Sequence, residues 1–309
     1  MNCLLAGIRL TAVALALPLL GASAIVAAQE AALPLPEVTV QAHVLAPKAR
    51  RFVMNVTAAS GYFMDEPVQL WRRPVCPLVA GLAHREGQYV FDQLDAAFAS
   101  VRVARGETGC HPNFFFIVTT EPKAVLNGAW DRNWHLFNDA SPTLVRDFIG
   151  TERPVRVWYN TILSGKDGPA MPAGAIPALA SDPQLSEYVF GNLPTIEHAG
   201  NGLRSSYQAL NDLMAVIVIV NPNEVQGLNW AQVADYAAMV GLTRISPDVD
   251  PGDTPSILHL FTAASGSRPA GLSDWDRAFL KALYVTDPAL RSQRFQVSHL
   301  MERELAAPN

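Results

Sequence analysis

An uninterrupted apolar run is the feature of this sequence that most limits the possible folds. Residues 213–220 form the stretch Leu-Met-Ala-Val-Ile-Val-Ile-Val, which contains no polar side chain. This run is too short to span a bilayer, and its β-branched composition predicts a buried strand. Residues 114–119 predict a second buried strand, and residues 154–161 predict a third, in which apolar side chains alternate with Arg156 and Trp158.

Helical patterns are interleaved with these strands. Residues 85–103 place their apolar side chains on one helical face. A capping residue, Asn229, predicts the start of a second helix that stops at Gly241, and Ser273 predicts the start of a third that ends at Tyr284. The alternation predicts an α+β fold in which helices pack on one mixed sheet.

The composition excludes several classes of protein. Half of the 309 residues are hydrophobic and 17% are charged, which excludes a disordered chain or a coiled coil. The formal charge of −5 argues against binding to nucleic acid, which favours a basic face. The length accommodates one folded domain, predicted at residues 66–300, followed by a tail at residues 301–309.

The first 28 residues resemble an export signal. Arg9 is their one charge, the apolar stretch Leu10–Leu20 follows it, and small residues lead to Ala28. We therefore expect cleavage near Ala28 and a periplasmic or secreted protein without another membrane span. An uncleaved anchor is the alternative, because the uncharged stretch is long enough to cross a bilayer. Residues 29–65 are predicted to form a flexible arm.

Two cysteines remain after such a signal is removed. Cys76 and Cys110 have no third thiol to compete with them, so an oxidising compartment favours a disulfide between them. A metal or redox pair is the alternative, since His111 adjoins Cys110. The spacing lacks the C-x-x-C pattern of such sites, which favours the disulfide.

Three consecutive segments near the C-terminus carry a motif pattern. Residues 234–244 follow the apolar run, Ser256-Ile257-Leu258-His259 comes next, and residues 272–284 begin Leu-Ser-Asp-Trp-Asp. In this order they resemble the active-site helix, the Met-turn and the last helix of the metzincin branch of zincin metalloproteases. Aligned on the glycine of H-E-x-x-H-x-x-G-x-x-H, the resemblance implies a degenerate active-site helix whose key positions are Ala234, Asp235, Ala238, Gly241 and Arg244.

The zinc ligands of that motif are missing. Zinc requires three protein donors, and the methyl groups of Ala234 and Ala238 donate nothing. We therefore expect no metal, no cofactor and no catalytic residue from this motif. One hypothesis is that Arg244 pairs with Asp235 in place of the ion, and the alternative is that both are unrelated surface residues. His259 is a candidate cleft residue or a simple packed histidine.

The same chain is also similar to signal-bearing bacterial proteins that share Pro-Val-Cys-Pro and Ala-Asp-Tyr-x-Ala-Met patterns. This similarity brings no activity with it. The kept scaffold and the lost ligands favour a pseudoenzyme that binds a peptide or an envelope partner, by adding a strand to an exposed sheet edge. The alternatives are a hydrolase with a relocated site using His259 and Asp235, and a structural envelope component. The aromatic residues of the middle region are predicted to fill the core rather than a groove: Trp130, Trp134, Phe137, Trp158 and Tyr159.

Overall fold

In the computed structural model, one mixed sheet of four strands lies between two layers of helices. The structure describes residues 37–57, 68–132, 134–137, 140–164, 210–246, 248–287, 290 and 292–307. The strands are β1 (Pro77–Ala80), β2 (Phe114–Val118), β3 (Val155–Ser164) and β4 (Leu210–Val220). Their order is β1-β2-β4-β3, with parallel pairing except between β3 and β4. This arrangement confirms the predicted α+β class and the predicted mixed sheet.

Seven α-helices occur in the described residues. They are α1 (Glu37–Val56), α2 (His84–Ser100), α3 (Pro122–Arg132), α4 (Pro142–Gly150), α5 (Trp230–Leu242), α6 (Asp274–Val285) and α7 (Gln293–Ala306). Short 3₁₀ helices lie at Trp134–Phe137, Ile257–Phe261 and Ser265–Ser267. Within these residues, no helix combines the length and the apolar character needed to cross a bilayer.

Capping chemistry fixes the starts of the two helices that follow the sheet. The Asn229 side chain accepts a hydrogen bond from the Gln232 backbone amide at 2.9 Å. In return, the Gln232 side chain accepts one from the Asn229 backbone amide at 3.1 Å. Ser273 and Asp276 form the same reciprocal pair at the start of α6. Each pair satisfies amide groups that a helix otherwise leaves without partners, so both helices begin where the sequence predicts.

The alternation of side chains along the strands divides the core into two clusters. Phe114 and Val218 face the larger cluster, which also takes side chains from α1, α2, α5, α6 and α7. Trp158 and Ile219 face the smaller cluster, which lies under α3, α4 and the 3₁₀ helix Trp134–Phe137. Because successive strand residues point to opposite faces, the central strands are buried on both sides. This explains the apolar run in β4.

A disulfide joins Cys76 to Cys110, as predicted. The Cα atoms are 6.1 Å apart, and the bridge ties the residue before β1 to the loop before β2. The Asn113 side chain reinforces this tie, accepting from the Cys76 amide at 2.7 Å and donating to the Pro74 carbonyl at 3.0 Å. The start of β1 is therefore fixed covalently and by hydrogen bonds.

Two terminal expectations are wrong. Within the predicted arm, residues 37–56 form α1, whose side chains Ala49, Phe52, Val53 and Val56 are fully buried. Within the predicted tail, residues 301–306 belong to α7, and Met301 is fully buried. Both helices form because an apolar stripe meets the larger cluster. The predicted signal at residues 1–28 and the remaining parts of the arm, 29–36 and 58–65, lie outside the described residues.

Candidate functional site

Helix α5 occupies the place in the chain where the resemblance implies an active-site helix. Ala234 and Ala238 are both fully buried within the larger cluster, so their methyl groups pack as core rather than facing a cleft. In the part of the chain that the structure describes, no group of three His, Cys, Asp or Glu side chains could hold a metal ion. The face of α5 that carries positions 234 and 238, where the motif would place zinc ligands, therefore packs against the core.

Gly241 lies inside α5, which continues to Leu242, and does not stop the helix as predicted. The Phe114 ring packs directly against it. A Cβ atom at position 241 would lie 2.2 Å from Phe114 Cε2, far inside van der Waals contact. The glycine is needed for this close approach between α5 and β2 rather than for a left-handed turn.

The C-terminal end of α5 is closed by three aromatic donors. The Tyr159 hydroxyl donates to the Val240 carbonyl at 2.8 Å, and the Trp71 indole N–H donates to the Gly241 carbonyl at 2.8 Å. The hydroxyl of Tyr284 donates to the Leu242 carbonyl. Burial raises the pKa of both tyrosines, so both stay protonated donors. These bonds satisfy the last carbonyls of the helix. They could not be predicted from local sequence, because the three donors come from distant segments of the chain.

Asp235 and Arg244 do not form the hypothesised ion pair among the described residues. Asp235 accepts from the Leu272 amide at 2.8 Å, and its Oδ2 would lie 2.5 Å from a Cβ at Gly271. Burial raises the pKa of Asp235, while the Leu272 hydrogen bond and the charge of Arg277 oppose that shift. Arg244 is exposed and follows the end of α5, where the extended backbone of residue 243 carries it to the surface.

His259 closes the loop that precedes its own 3₁₀ helix. Its Nε2 lies 3.0 Å from the Gly252 carbonyl and 3.2 Å from the Thr254 carbonyl, so an Nε2–H donates there. Within the described residues, no hydrogen bond joins His259 to Asp235. A relocated hydrolytic site would need both His259 and Asp235. In the structure, each side chain instead forms a hydrogen bond with the backbone of a loop.

Asp276 is a fully buried carboxylate that the sequence analysis does not identify as a site residue. Its carboxylate accepts from the Ser256 hydroxyl at 2.6 Å, from the Ile257 amide at 2.8 Å and from the Ser273 amide at 2.9 Å. Burial raises its pKa, and these hydrogen bonds oppose the shift. The group joins the Ser256–His259 turn to α6, which is a structural use of the carboxylate.

Most of the aromatic residues of the middle region fill the core, as predicted. Phe137 and Trp158 belong to the smaller cluster, and Trp130 meets the Phe137 ring edge-on with centroids 5.7 Å apart. Trp134 differs from them, because 45% of its surface is exposed. Leu136, beside it, is 37% exposed. An apolar surface therefore lies on the 3₁₀ helix that contacts β3.

Strand β3 lies at one end of the sheet and pairs with β4 along ten residues. The Asn221 amide donates to the Pro154 carbonyl at 3.0 Å, which identifies residues 154 and 221 as a hydrogen-bonded pair. Such pairs recur at every second residue of an antiparallel ladder, so residues 156, 158 and 160 face β4. The N–H and C=O groups of Val155, Val157 and Tyr159 consequently point away from β4.

Those outward backbone groups have no hydrogen-bond partner in the part of the chain that the structure describes. Among the described residues, no hydrogen bond reaches the backbone N–H or C=O of Val155, Val157 or Tyr159. The inward residues pair with β4, and the Arg156 guanidinium also donates to the Thr151 carbonyl, before the strand, at 2.9 Å. The edge of β3 is thus a fixed row of alternating donors and acceptors.

No protein-family model, no curated protein and no solved structure matches this chain.

Proposed function

We propose that the protein is a non-catalytic scaffold that binds an extended peptide segment, of a peptide or an envelope protein, along the outer edge of β3. The observation that carries this proposal is the outward row of backbone groups at Val155, Val157 and Tyr159 on a ten-residue edge strand. A long edge strand is a template for pairing with another chain, and binding proteins use it in this way.

The recognition would combine backbone pairing with apolar contacts. Main-chain hydrogen bonds to β3 would supply affinity without regard to sequence, and side-chain contacts would supply selectivity. The exposed side chains Trp134 and Leu136 lie beside β3, since the Asn160 side chain on that strand donates to the Leu136 carbonyl at 2.8 Å. We therefore expect a preference for peptides with apolar residues at alternate positions.

The proposal treats the chain as a degenerate zincin-like scaffold. The order of elements supports this, because a mixed sheet is followed by α5, the turn at Ser256–His259 and α6, as the resemblance implies. The alanines at positions 234 and 238 support loss of metal catalysis, because their buried methyl groups cannot bind zinc. The Cys76–Cys110 disulfide supports a periplasmic or secreted location, where such bonds persist.

The decisive experiment compares two substitutions at one outward position. Affinity selection from a random decapeptide library with the wild-type protein yields the probe peptides. We expect Val157→Thr to keep their binding, because it keeps the outward N–H. We expect Val157→Pro to abolish binding, because proline lacks that N–H, while the pairing of β3 with β4 survives.

Two controls make the result independent of folding. Circular dichroism of both variants reports whether the sheet is intact. N-methylation of alternate backbone amides in a selected peptide leaves the protein unchanged and should also abolish binding. Equal binding by the two variants and by the methylated peptide would contradict the proposal, as would a wild-type protein that selects no peptide. Stoichiometric zinc after dialysis, measured by mass spectrometry, would refute the non-catalytic assignment.

A further inference from the structure

A groove between α1 and α7 lies apart from the sheet edge. This groove is open to solvent and has a volume of about 520 Å³, which is within the range of small-molecule sites. Its apolar lining comes from Ala46, Pro47 and Met54 on α1. The groove therefore offers an apolar surface that could hold part of a small organic molecule.

The polar lining of this groove is unbalanced in charge. Arg50 and Arg51 line it from α1, and neither has an ion-pair partner among the described residues. Glu302 lines it from α7 and lies 3.8 Å from His299 Nδ1, so that the histidine is the basic group nearest to the carboxylate. Two guanidinium groups against one carboxylate leave a net positive groove in a chain whose overall charge is −5.

Stacking orients one of the two guanidinium groups. The Arg50 Cζ lies 4.5 Å from the centroid of the Phe295 ring, and that ring is 47% exposed. A stacked guanidinium keeps its N–H donors free at its edges. The ring contact thus orients Arg50, and no described residue accepts a hydrogen bond from its guanidinium group.

We propose that this groove binds an amphiphilic phosphate monoester. Arginine donors form paired hydrogen bonds with phosphate oxygens, and two arginines suit a group that carries about two negative charges near neutral pH. The attraction to Arg50 and Arg51 and the repulsion from Glu302 both increase with the charge of the ligand, so two guanidinium groups against one carboxylate give a net attraction that is larger for a doubly charged group. The apolar lining accepts the organic part of the ester. The site is separate from β3, so this inference does not depend on peptide binding.

Phenyl phosphate is the probe, and binding to the whole chain is measured by isothermal titration calorimetry. We expect Arg50→Gln and Arg51→Gln each to weaken binding by about tenfold or more, because each removes charge-assisted hydrogen bonds. The matched control is Lys48→Gln, which removes one positive charge from the same helix but lies outside the groove lining. It should weaken binding by less than about twofold, as expected for an exposed charge.

Titrations with other ligands show which part of the phosphate ester contributes to binding. Inorganic phosphate should bind more weakly than phenyl phosphate, because it leaves the apolar lining unused. The proposal is overturned if the wild-type protein does not bind phenyl phosphate, or if Lys48→Gln weakens binding as much as the two groove variants. It is also overturned if the protein binds only vesicles of phosphatidylglycerol and phosphatidylcholine. Thermal melts verify folding, and Arg51→Gln decides the outcome if loss of the Phe295 contact unfolds Arg50→Gln.

Discussion

The two edges of the sheet are built in opposite ways. Strand β1 has four residues and begins with Pro77, directly after the disulfide at Cys76. Just before this strand, the Val75 amide donates to the Ala104 carbonyl, and the Val75 carbonyl accepts from the Gly106 amide. Strand β3 has ten residues, and the backbone groups of Val155, Val157 and Tyr159 point outward from it. Proteins usually shorten or cover their edge strands. Within the described residues, β1 is thus a short edge that begins at a proline, whereas β3 is a long edge with no hydrogen bond to the outward groups of Val155, Val157 and Tyr159, which is why the proposed function is placed at β3.

Among the changes considered, removal of the disulfide is expected to have the largest effect on stability, and it should affect edge strand β1 more than edge strand β3. The bond joins residues 34 positions apart, and a loop of that length corresponds to about 4 kcal/mol in the chain-entropy model. We expect the double variant Cys76→Ser, Cys110→Ser to lose about that much free energy of unfolding in urea titrations. Hydrogen exchange should increase most at β1 and least at β3. A variant whose β3 amides lose protection first would show that the two edges are not independent.

A glycine substitution tests the helix that lies behind the sheet. We expect Gly241→Ala to lower the free energy of unfolding by about 2 kcal/mol, because the added methyl group collides with the buried Phe114 ring. The matched control is Gly150→Ala at the end of α4, where an added Cβ meets no atom within 4 Å. The control should be neutral or slightly stabilising, because alanine favours a helix. Equal urea midpoints for the two variants would contradict the close packing of α5 on β2.

The parts of the fold that local patterns specify were predictable. The apolar run identified β4, and the capping residues Asn229 and Ser273 identified the starts of α5 and α6. Helix α1 was missed although its apolar residues have helical spacing, because Pro47 lies within it and proline normally ends a helix. Strand β1 was missed because four residues are too few to establish an alternation.

The site was harder to predict, because its features depend on pairing between distant segments. The outward direction of Val157 follows from its register with β4, which local sequence does not encode. Arg244 and Asp235 were hypothesised to meet because a metzincin chain turns at the motif glycine. Here α5 continues past Gly241, and the contact with Phe114 rather than a turn explains the glycine. The residue order that resembles the metzincin motif therefore does not bring Asp235 and Arg244 into an ion pair among the described residues.

The smallest expected effect concerns Asp235, and it tests whether the proposed peptide binding at β3 depends on this carboxylate. Asparagine can still accept from the Leu272 amide, so we expect Asp235→Asn to change the free energy of unfolding by less than about 1 kcal/mol at neutral pH. Peptide affinity at β3 should stay within about twofold of the wild type, because Asp235 does not belong to that edge. A large loss of peptide binding would instead favour a site that uses this carboxylate.

The pH dependence of the same variant gives a sharper test. Burial raises the pKa of Asp235 above the ordinary value of 3.8, so the folded protein takes up this proton at a higher pH than the unfolded chain does. The contribution of Asp235 to stability is therefore fully present below pH 3.8 and is lost as the pH rises through the folded pKa. Asparagine does not titrate, so the wild type should gain stability relative to the variant as the pH falls through that window. Urea titrations of both proteins across that range measure the difference. The opposite result, a wild type that loses stability relative to the variant on acidification, would contradict this prediction. It would show that the Leu272 hydrogen bond and the charge of Arg277 lower the pKa of Asp235 by more than burial raises it.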